Sequence, residues 1–205
     1  MGKKAEIKAI LAVINNFLMT HPEILNRLKE GNQRYVDDKL SGDLQDGARR
    51  DELTGSQAPW AIVLSCADSR VVPELVFDTG IGELFVLRVA GNIANTDTIA
   101  SIEYAVAHLG TALIVVMGHE NCGAVGAALQ GGDNGYNLNH LLSQIEPAKA
   151  QAEKNDVNTI VKKNAELAAK DLYDRSSIIS AAVDKGKVRI HPAFYHLKSG
   201  KVDFL

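Results

Sequence analysis

The sequence predicts an α/β protein with a central, mostly parallel β-sheet that is flanked by helices. Three short, continuous apolar runs indicate strands: Trp60–Cys66, Leu84–Ala90 and Ala112–Met117. Such runs are typical of strands that are buried on both faces, as in a parallel sheet. Residues 96–109 lie between the second and third runs and show helical apolar spacing, with Thr and Asp as candidate caps and a glycine after the end. Strand, helix, strand is the α/β order, and it predicts a right-handed crossover.

Length and composition predict an ordinary folded domain. The chain has 205 residues, of which 46% are hydrophobic and 23% are charged, and its formal net charge is −3. This length favours a single domain overall. The slightly acidic net charge argues against binding of nucleic acid, which would need a basic face, and no run approaches 18 apolar residues. We therefore expect no nucleic-acid partner and no membrane span.

The first part of the chain predicts a helical arm over residues 1–50, ahead of an α/β domain over residues 51–205. Pro22 stands where a helix can begin. Apolar residues then recur at helical spacing: Ile24, Leu25, Leu28, Tyr35, Val36 and Leu40. We expect this arm to rest on the domain or on a partner subunit.

The extreme N-terminus offers two interpretations, a secretory signal or an amphipathic helix. Two lysines precede a mostly apolar stretch, as in a signal. However, Glu6 and Lys8 interrupt that stretch, Asn15 and Asn16 break it again, and no small-x-small cleavage site follows. These features favour an amphipathic helix and a cytoplasmic protein.

The remainder of the chain predicts helices followed by a terminal hairpin. Residues 123–129 form a helix start that is rich in small residues, and residues 137–186 are mostly helical in pattern. The tail, residues 188–205, predicts a hairpin at the edge of the sheet. Because proline cannot donate to a strand ladder, Pro192 predicts an edge strand or a bulge at its position.

Two polar clusters follow apolar runs, where ligands of open α/β sheets bind. The first cluster is Cys66-Ala-Asp68-Ser-Arg70 and the second is His119-Glu-Asn-Cys122. Two thiolates and an imidazole are donors that zinc prefers, and three protein ligands leave a fourth position for water or for the Asp68 carboxylate. If the chain stays extended after Cys66, then Cys66, Asp68 and Arg70 lie on one face of the extended segment. A disulfide, buried inert thiols and redox thiols are the alternatives for the cysteines, and the neighbouring donors favour a metal site.

The two clusters, together with Gly123, resemble the zinc motifs of the β-class carbonic anhydrases. The resemblance extends to Leu87–Asn92, to Ser101–Val106 and to Ser199–Leu205, and it covers roughly residues 24–205. It implies reversible hydration of CO₂ to bicarbonate and a proton, one Zn²⁺ per chain, and a role in carbon utilization. It also implies a homodimer or homotetramer with the site at the subunit interface.

The resemblance also implies roles for individual residues. Cys66, His119 and Cys122 are the metal ligands, and a zinc-bound hydroxide attacks CO₂. Asp68 paired with Arg70 accepts a hydrogen bond from that hydroxide, whereas Asp68 released from Arg70 ligates zinc and closes the site. The pair therefore acts as an orienting and gating dyad.

A substrate pocket is implied by residues outside the two clusters. Gln57 is the amide donor near CO₂, and Phe85, Ala90 and Tyr104 line the cleft. Gly123 is the remaining substrate-binding residue. From residue type alone, Phe85 and Tyr104 are also explained as core aromatics.

Two other functions are compatible with the same residues. A related zinc hydrolase could act on carbon disulfide, because the same chemistry would serve. A zinc-stabilised regulator without activity is the other alternative, and the presence of both Asp68 and Arg70 argues against it.

Overall fold

A five-stranded β-sheet forms the centre of the computed structural model, which describes residues 19–205. The strands are β1 (Ala61–Ser65), β2 (Leu84–Arg88), β3 (Leu113–His119), β4 (Arg189–Tyr195) and β5 (Val202–Phe204). Their order in the sheet is β2-β1-β3-β4-β5. The first four are parallel and β5 pairs with β4 in antiparallel fashion. The predicted fold class is confirmed, including a hairpin at the edge of the sheet.

Helices surround this sheet. Within residues 19–205 they are α1 (His21–Val36), α2 (Gly47–Glu52), α3 (Pro73–Val76), α4 (Thr96–His108), α5 (Gly123–Gln130), α6 (Tyr136–Ser143), α7 (Glu146–Gln151), α8 (Val157–Asp174) and α9 (Ser177–Asp184). The cap of α4 is Asn95, whose side chain accepts from the Thr98 N–H at 2.9 Å, and the predicted Thr and Asp caps lie inside the helix. No helix of the described chain is long and apolar enough to cross a membrane.

The central strands are buried on both faces because helices cover each one. All residues of β1 and β3 are buried, as their continuous apolar runs predict. Alternate residues such as Ile62 and Ile114 pack under α4, α8 and α9. Their neighbours Val63 and Val115 pack on the opposite side, with α1 and α3. The strand β2 is only half-buried, since it lies at an edge of the sheet.

Helix α1 lies directly against the domain. Its residues Ile24 and Leu28 are buried, and Gly31 approaches Phe77 so closely that a Cβ there would lie 1.9 Å from the Phe77 carbonyl oxygen. Residues 1–18, where the amphipathic helix is expected, lie outside the described residues. The division into an arm over 1–50 and a domain over 51–205 stays a prediction.

Pro192 does not mark an edge strand, which corrects the sequence analysis. It lies in β4, between β3 and β5, and β5 is the edge. The Pro192 carbonyl accepts from the Leu205 N–H at 2.9 Å, so this oxygen faces the β5 side. In an extended strand the nitrogen of a residue points to the same side as its oxygen. The missing N–H therefore removes no bond to β3.

Candidate metal centre

The two cysteines and His119 converge at the carboxyl ends of two adjacent strands. Cys66 follows β1, His119 is the last residue of β3, and Cys122 caps the N-terminus of α5. Since β1 and β3 are parallel neighbours with Ser65 opposite Met117, their ends lie side by side. The ligating atoms of the three residues all lie within 4.8 Å of one another, and all three side chains are buried. The structure thus brings together residues that the sequence places in two separate clusters.

His119 has a buried ring nitrogen that is available to a metal. Its Nδ1 lies 2.9 Å from the Glu120 carbonyl oxygen, which can only accept, so Nδ1 carries the proton. The other nitrogen, Nε2, therefore has a free lone pair. Nε2 is fully buried, and no residue of the described chain forms a hydrogen bond with it. A buried polar atom is nearly always satisfied, so this orphan beside two thiols fits a zinc ion.

The two thiols shift each other's pKa in opposite directions. Their Sγ atoms are 3.9 Å apart. The pKa of Cys66 is lowered, first by the hydrogen bond with Cys122 and also by hydrogen bonds from the backbone, that of the Gly91 N–H among them. The pKa of Cys122 is raised by its hydrogen bond to Cys66 and by burial. One thiolate thus forms readily, and a divalent cation would favour loss of the second proton.

Asp68 lies beside this triad and is held by Arg70. The chain turns at Asp68, whose carbonyl accepts from the Val71 N–H at 3.0 Å, so it is not extended through Arg70 as the predicted common face requires. The backbone N–H of Arg70 donates to Asp68 Oδ1 at 3.0 Å. The Arg70 guanidinium donates from Nε to Oδ1 at 2.9 Å and from Nη2 to Oδ2 at 2.7 Å. This turn, favoured by an aspartate side chain, places both residues where a bidentate fork can form.

The fork fixes the charge and position of the Asp68 carboxylate. Hydrogen bonding from Arg70 holds the pKa of Asp68 well below its usual range, so the group is ionised at physiological pH. Its Oδ2 is 3.8 Å from the orphaned Nε2 of His119. The carboxylate therefore borders the metal triad while Arg70 occupies both of its oxygens.

Three hydrogen bonds to Cys66 and Asp68 were not predicted. Arg88, at the end of β2, donates to the carbonyls of Cys66 at 3.1 Å and Asp68 at 2.6 Å. The N–H of Gly91 donates to Cys66 Sγ at 3.4 Å. Gly91 has φ +72°, which is accessible to glycine. Both residues lie in the stretch Leu87–Asn92 to which the family resemblance extends, but only the fold shows which atoms they reach.

The predicted substrate residues do not all lie at the triad within one chain. Gly123 follows Cys122 and begins α5, and Ala90 adjoins Gly91 in a 3₁₀ turn, Ala90–Asn92. Phe85 and Tyr104 form a separate aromatic pair with ring centroids 6.5 Å apart.

The aromatic pair lies beside the open edge of β2, and Tyr104 is 47% exposed. A groove of about 440 Å³ along this edge is lined in part by Phe85, Arg88, Asn95 and Thr98. Gln57 is exposed in the segment before β1. The substrate-binding roles of these residues stay predictions.

Comparison with known proteins gives a consistent result. The family described as "Carbonic anhydrase" matches residues 61–202. "Carbonic anhydrase 2" of Mycobacterium tuberculosis is 34% identical over 181 residues, covering 85% of this chain and 87% of that protein. "Carbonic anhydrase" of Mycolicibacterium smegmatis is 36% identical over 183 residues, covering 86% and 89%.

Solved structures show the same relationship at the level of the fold. A tetrameric β-carbonic anhydrase of Sordaria macrospora superposes with a TM-score of 0.71 at 28% identity, covering 86% of this chain and 93% of that one. The Coccomyxa β-carbonic anhydrase, solved with acetazolamide, gives 0.71 at 31% identity, covering 86% and 83%. With its metal triad at the ends of β1 and β3, the chain therefore belongs to the β-carbonic anhydrase family.

Proposed function

We propose that this chain catalyses the reversible hydration of CO₂ to bicarbonate and a proton. The observation that carries the proposal is the buried Cys66, His119 and Cys122 triad, whose free His119 Nε2 lies beside the Asp68 carboxylate. Family membership supports the same reaction. Neither hydrolysis of carbon disulfide nor an inactive regulator is favoured, because the relatives compared above are carbonic anhydrases.

The triad residues would hold one zinc ion per chain. When bound, zinc acts as a Lewis acid that lowers the pKa of water and makes a nucleophile available near neutral pH. The backbone prepares this site: Nδ1 of His119 is fixed by the Glu120 carbonyl, which orients Nε2 toward the cysteines. Burial of all three side chains keeps competing hydrogen-bond partners away from them.

Asp68 and Arg70 would orient the reacting water. The ionised Asp68 carboxylate can only accept hydrogen bonds, and the Arg70 fork limits where its free lone pairs point. A carboxylate fixed in this way can hold and orient an attacking water by accepting a hydrogen bond from it. If Arg70 releases it, the same carboxylate is close enough to the triad to compete for the metal, so a gating role remains part of the proposal.

Self-association would complete the substrate pocket. The edge of β2 carries backbone groups that no strand in residues 19–205 pairs, and an exposed Tyr104 lies next to Phe85. A second copy placed against this edge would bury both aromatic rings. It could also bring Gln57 of one chain to the metal site of the other. We expect a dimer or tetramer in sedimentation velocity; a monomer at micromolar concentration would contradict this assembly.

A cytoplasmic location is also part of the proposal. The site needs two free thiols, and their sulfur atoms are near enough that small movements would allow a disulfide. Reducing compartments keep such thiols available to metals. Fractionation of cells that express the full chain, followed by detection in the soluble cytoplasmic fraction, tests this location.

The reaction is tested by stopped-flow CO₂ hydration with the zinc-loaded full chain. We expect Cys122→Ser to lose bound zinc and to fall to the uncatalysed rate, because one of the three ligands is gone. We expect Asp68→Asn to keep its zinc while losing about 100-fold in kcat, because the reacting water loses the acceptor that orients it. Each variant is assayed for metal content as well as rate.

Two outcomes would overturn the proposed reaction. The first is a Cys122→Ser variant that keeps both its zinc and the wild-type rate. The second is a zinc-loaded wild-type chain that hydrolyses carbon disulfide but does not hydrate CO₂.

A further inference from the structure

Helix α8 forms the wall behind the metal centre. Val161 packs against the backbone of Gly118 in β3, and the buried cluster at the metal centre includes Ile160, Val161 and both cysteines. The buried side chains of α8 recur at helical spacing: Ile160, Val161, Asn164, Ala165, Ala168, Ala169 and Leu172. Asn164 is the polar member of this otherwise apolar stripe.

Asn164 directs its amide to the loop that contacts Cys66. Its side chain is 3% exposed, and Nδ2 donates to the Gly91 carbonyl at 2.7 Å. Asparagine is a poor helix former, and a buried amide is costly without a hydrogen bond. Within residues 19–205 this amide nitrogen donates to one acceptor, the carbonyl of the glycine whose N–H contacts the sulfur of Cys66.

The loop that Asn164 holds has an unusual backbone. Gly91 has φ +72° and Asn92 has φ +44°, so two successive residues are left-handed. A non-glycine residue in this region is uncommon and needs support from its surroundings. On one side of Gly91 the N–H donates to Cys66 Sγ at 3.4 Å, and on the other side the carbonyl accepts from Asn164. The Asn164 bond thus fixes the glycine that donates to the sulfur.

We propose that Asn164 is a positioning residue for the metal ligand Cys66. It holds Gly91 in the orientation in which the Gly91 N–H stabilises the Cys66 thiolate. Residues that hold a metal ligand typically change metal affinity by 10–100-fold when they are replaced. The proposal concerns how the zinc ligand is held and does not depend on the reaction assigned above.

The test uses Asn164→Leu and Asn164→Asp in the full chain. Leucine keeps a similar volume without a donor, and a cavity of about 300 Å³ lined in part by Asn164 and Leu167 gives it room. Aspartate keeps the shape and, when ionised, replaces the amide donor by a carboxylate that can only accept, so it is measured at about pH 8. Both variants are loaded with zinc for chelator competition and with Co²⁺ for sulfur-to-cobalt charge-transfer spectra.

We expect both variants to lose zinc to the chelator about tenfold more readily than wild type. The charge-transfer band should move to longer wavelength, because a sulfur without its N–H donor gives up electron density more easily. Asn32→Leu is the matched control for a merely structural effect. Asn32 is also a buried asparagine, and it bonds the Val76 and Gly200 carbonyls and the Val202 N–H. This control should lower stability without moving the band.

A second test uses Gly91→Ala, which is strained at φ +72° and would place a Cβ 2.9 Å from Ile145 Cδ1. Combined with Asn164→Asp, it should add little to the band shift, because both changes act through the same hydrogen bond, from the Gly91 N–H to Cys66 Sγ. If Asn164→Leu does not fold, Asn164→Asp carries the test. An unmoved band and wild-type zinc retention in the folded Asn164 variant would overturn the proposal, whatever the CO₂ hydration rate.

Discussion

At the scale of single residues, the Arg70 side chain decides where the Asp68 carboxylate points. The guanidinium donates through Nε and Nη2 to both oxygens, a planar fork that lysine cannot reproduce. We expect Arg70→Lys to keep full zinc content but to lower kcat about 10–100-fold, as for other residues that orient a group at a metal site. Stopped-flow kinetics and metal analysis on the same sample check this. A lysine variant with wild-type kcat would show that positive charge alone is sufficient.

A second prediction at this scale concerns His191 in β4. Burial, first, and then the positive charges of Lys29, His21 and Arg189 lower the pKa of this imidazole. An unfolded chain takes up a proton near the ordinary pKa of about 6.5, which the folded chain resists until the pH is lower. Stability should therefore be full above that pH and should fall as the pH drops below it.

Replacement of His191 by glutamine should remove this pH dependence. We expect the urea midpoint of wild type to fall more between about pH 7.5 and about pH 5.5 than that of His191→Gln, following the linkage argument. His140→Gln, at an exposed position in α6, is the control and should follow wild type. Equal slopes for wild type and His191→Gln would contradict the prediction.

At the scale of elements, a glycine determines how closely α1 docks. A Cβ at Gly31 would lie 1.9 Å from the Phe77 carbonyl oxygen and 2.7 Å from its carbon, and backbone atoms cannot rotate aside. Gly31→Ala should therefore lower the free energy of unfolding by about 3 kcal/mol through overpacking. Urea denaturation of the zinc-loaded protein measures the change.

The control for this prediction is Gly126→Ala in α5. A Cβ there would meet nothing within 4 Å, so the substitution should raise stability by about 0.5–1 kcal/mol through helix propensity. If both variants were equally stable, the close approach of α1 to Phe77 would not be what limits residue 31.

The elements themselves were largely predictable from the sequence. Strands β1 and β3 are continuous apolar runs because helices cover both of their faces. The position of Pro192 was not predictable, because its nitrogen could face either neighbour and only the register with β5 decides that question. The turn at Asp68 was also missed, since a polar residue after a strand is compatible with an extended chain as well as with a turn.

At the scale of the whole molecule, metal binding should stabilise the entire fold. A ligand that binds only the folded chain stabilises it by about 4 kcal/mol at a thousandfold excess over its Kd. We expect a chelator to lower the urea midpoint of wild type and to leave that of Cys66→Ser unchanged. A chelator effect of equal size in both proteins would place the stabilising metal elsewhere.

The metal triad was predictable because its three residue types follow strands, and ligands of an α/β sheet bind beyond the carboxyl ends of its strands. That β1 and β3 are neighbours is shown only by the strand order. Its supporting contacts were not. Arg88, Gly91 and Asn164 act through backbone atoms that become adjacent only after the sheet and α8 have packed. The groove beside Phe85 and Tyr104 likewise has no sequence pattern of its own.

The separation of the ligands along the chain has a consequence for biosynthesis. Cys66 directly follows β1. His119 ends β3 and Cys122 follows it, so both are synthesised only after β2 and α4. A growing polypeptide on the ribosome therefore cannot bind a metal ion with all three ligands until Cys122 has emerged from the exit tunnel. Asn164 is synthesised later still, so the contacts around the ion are complete only once β1, β3 and α8 have packed together.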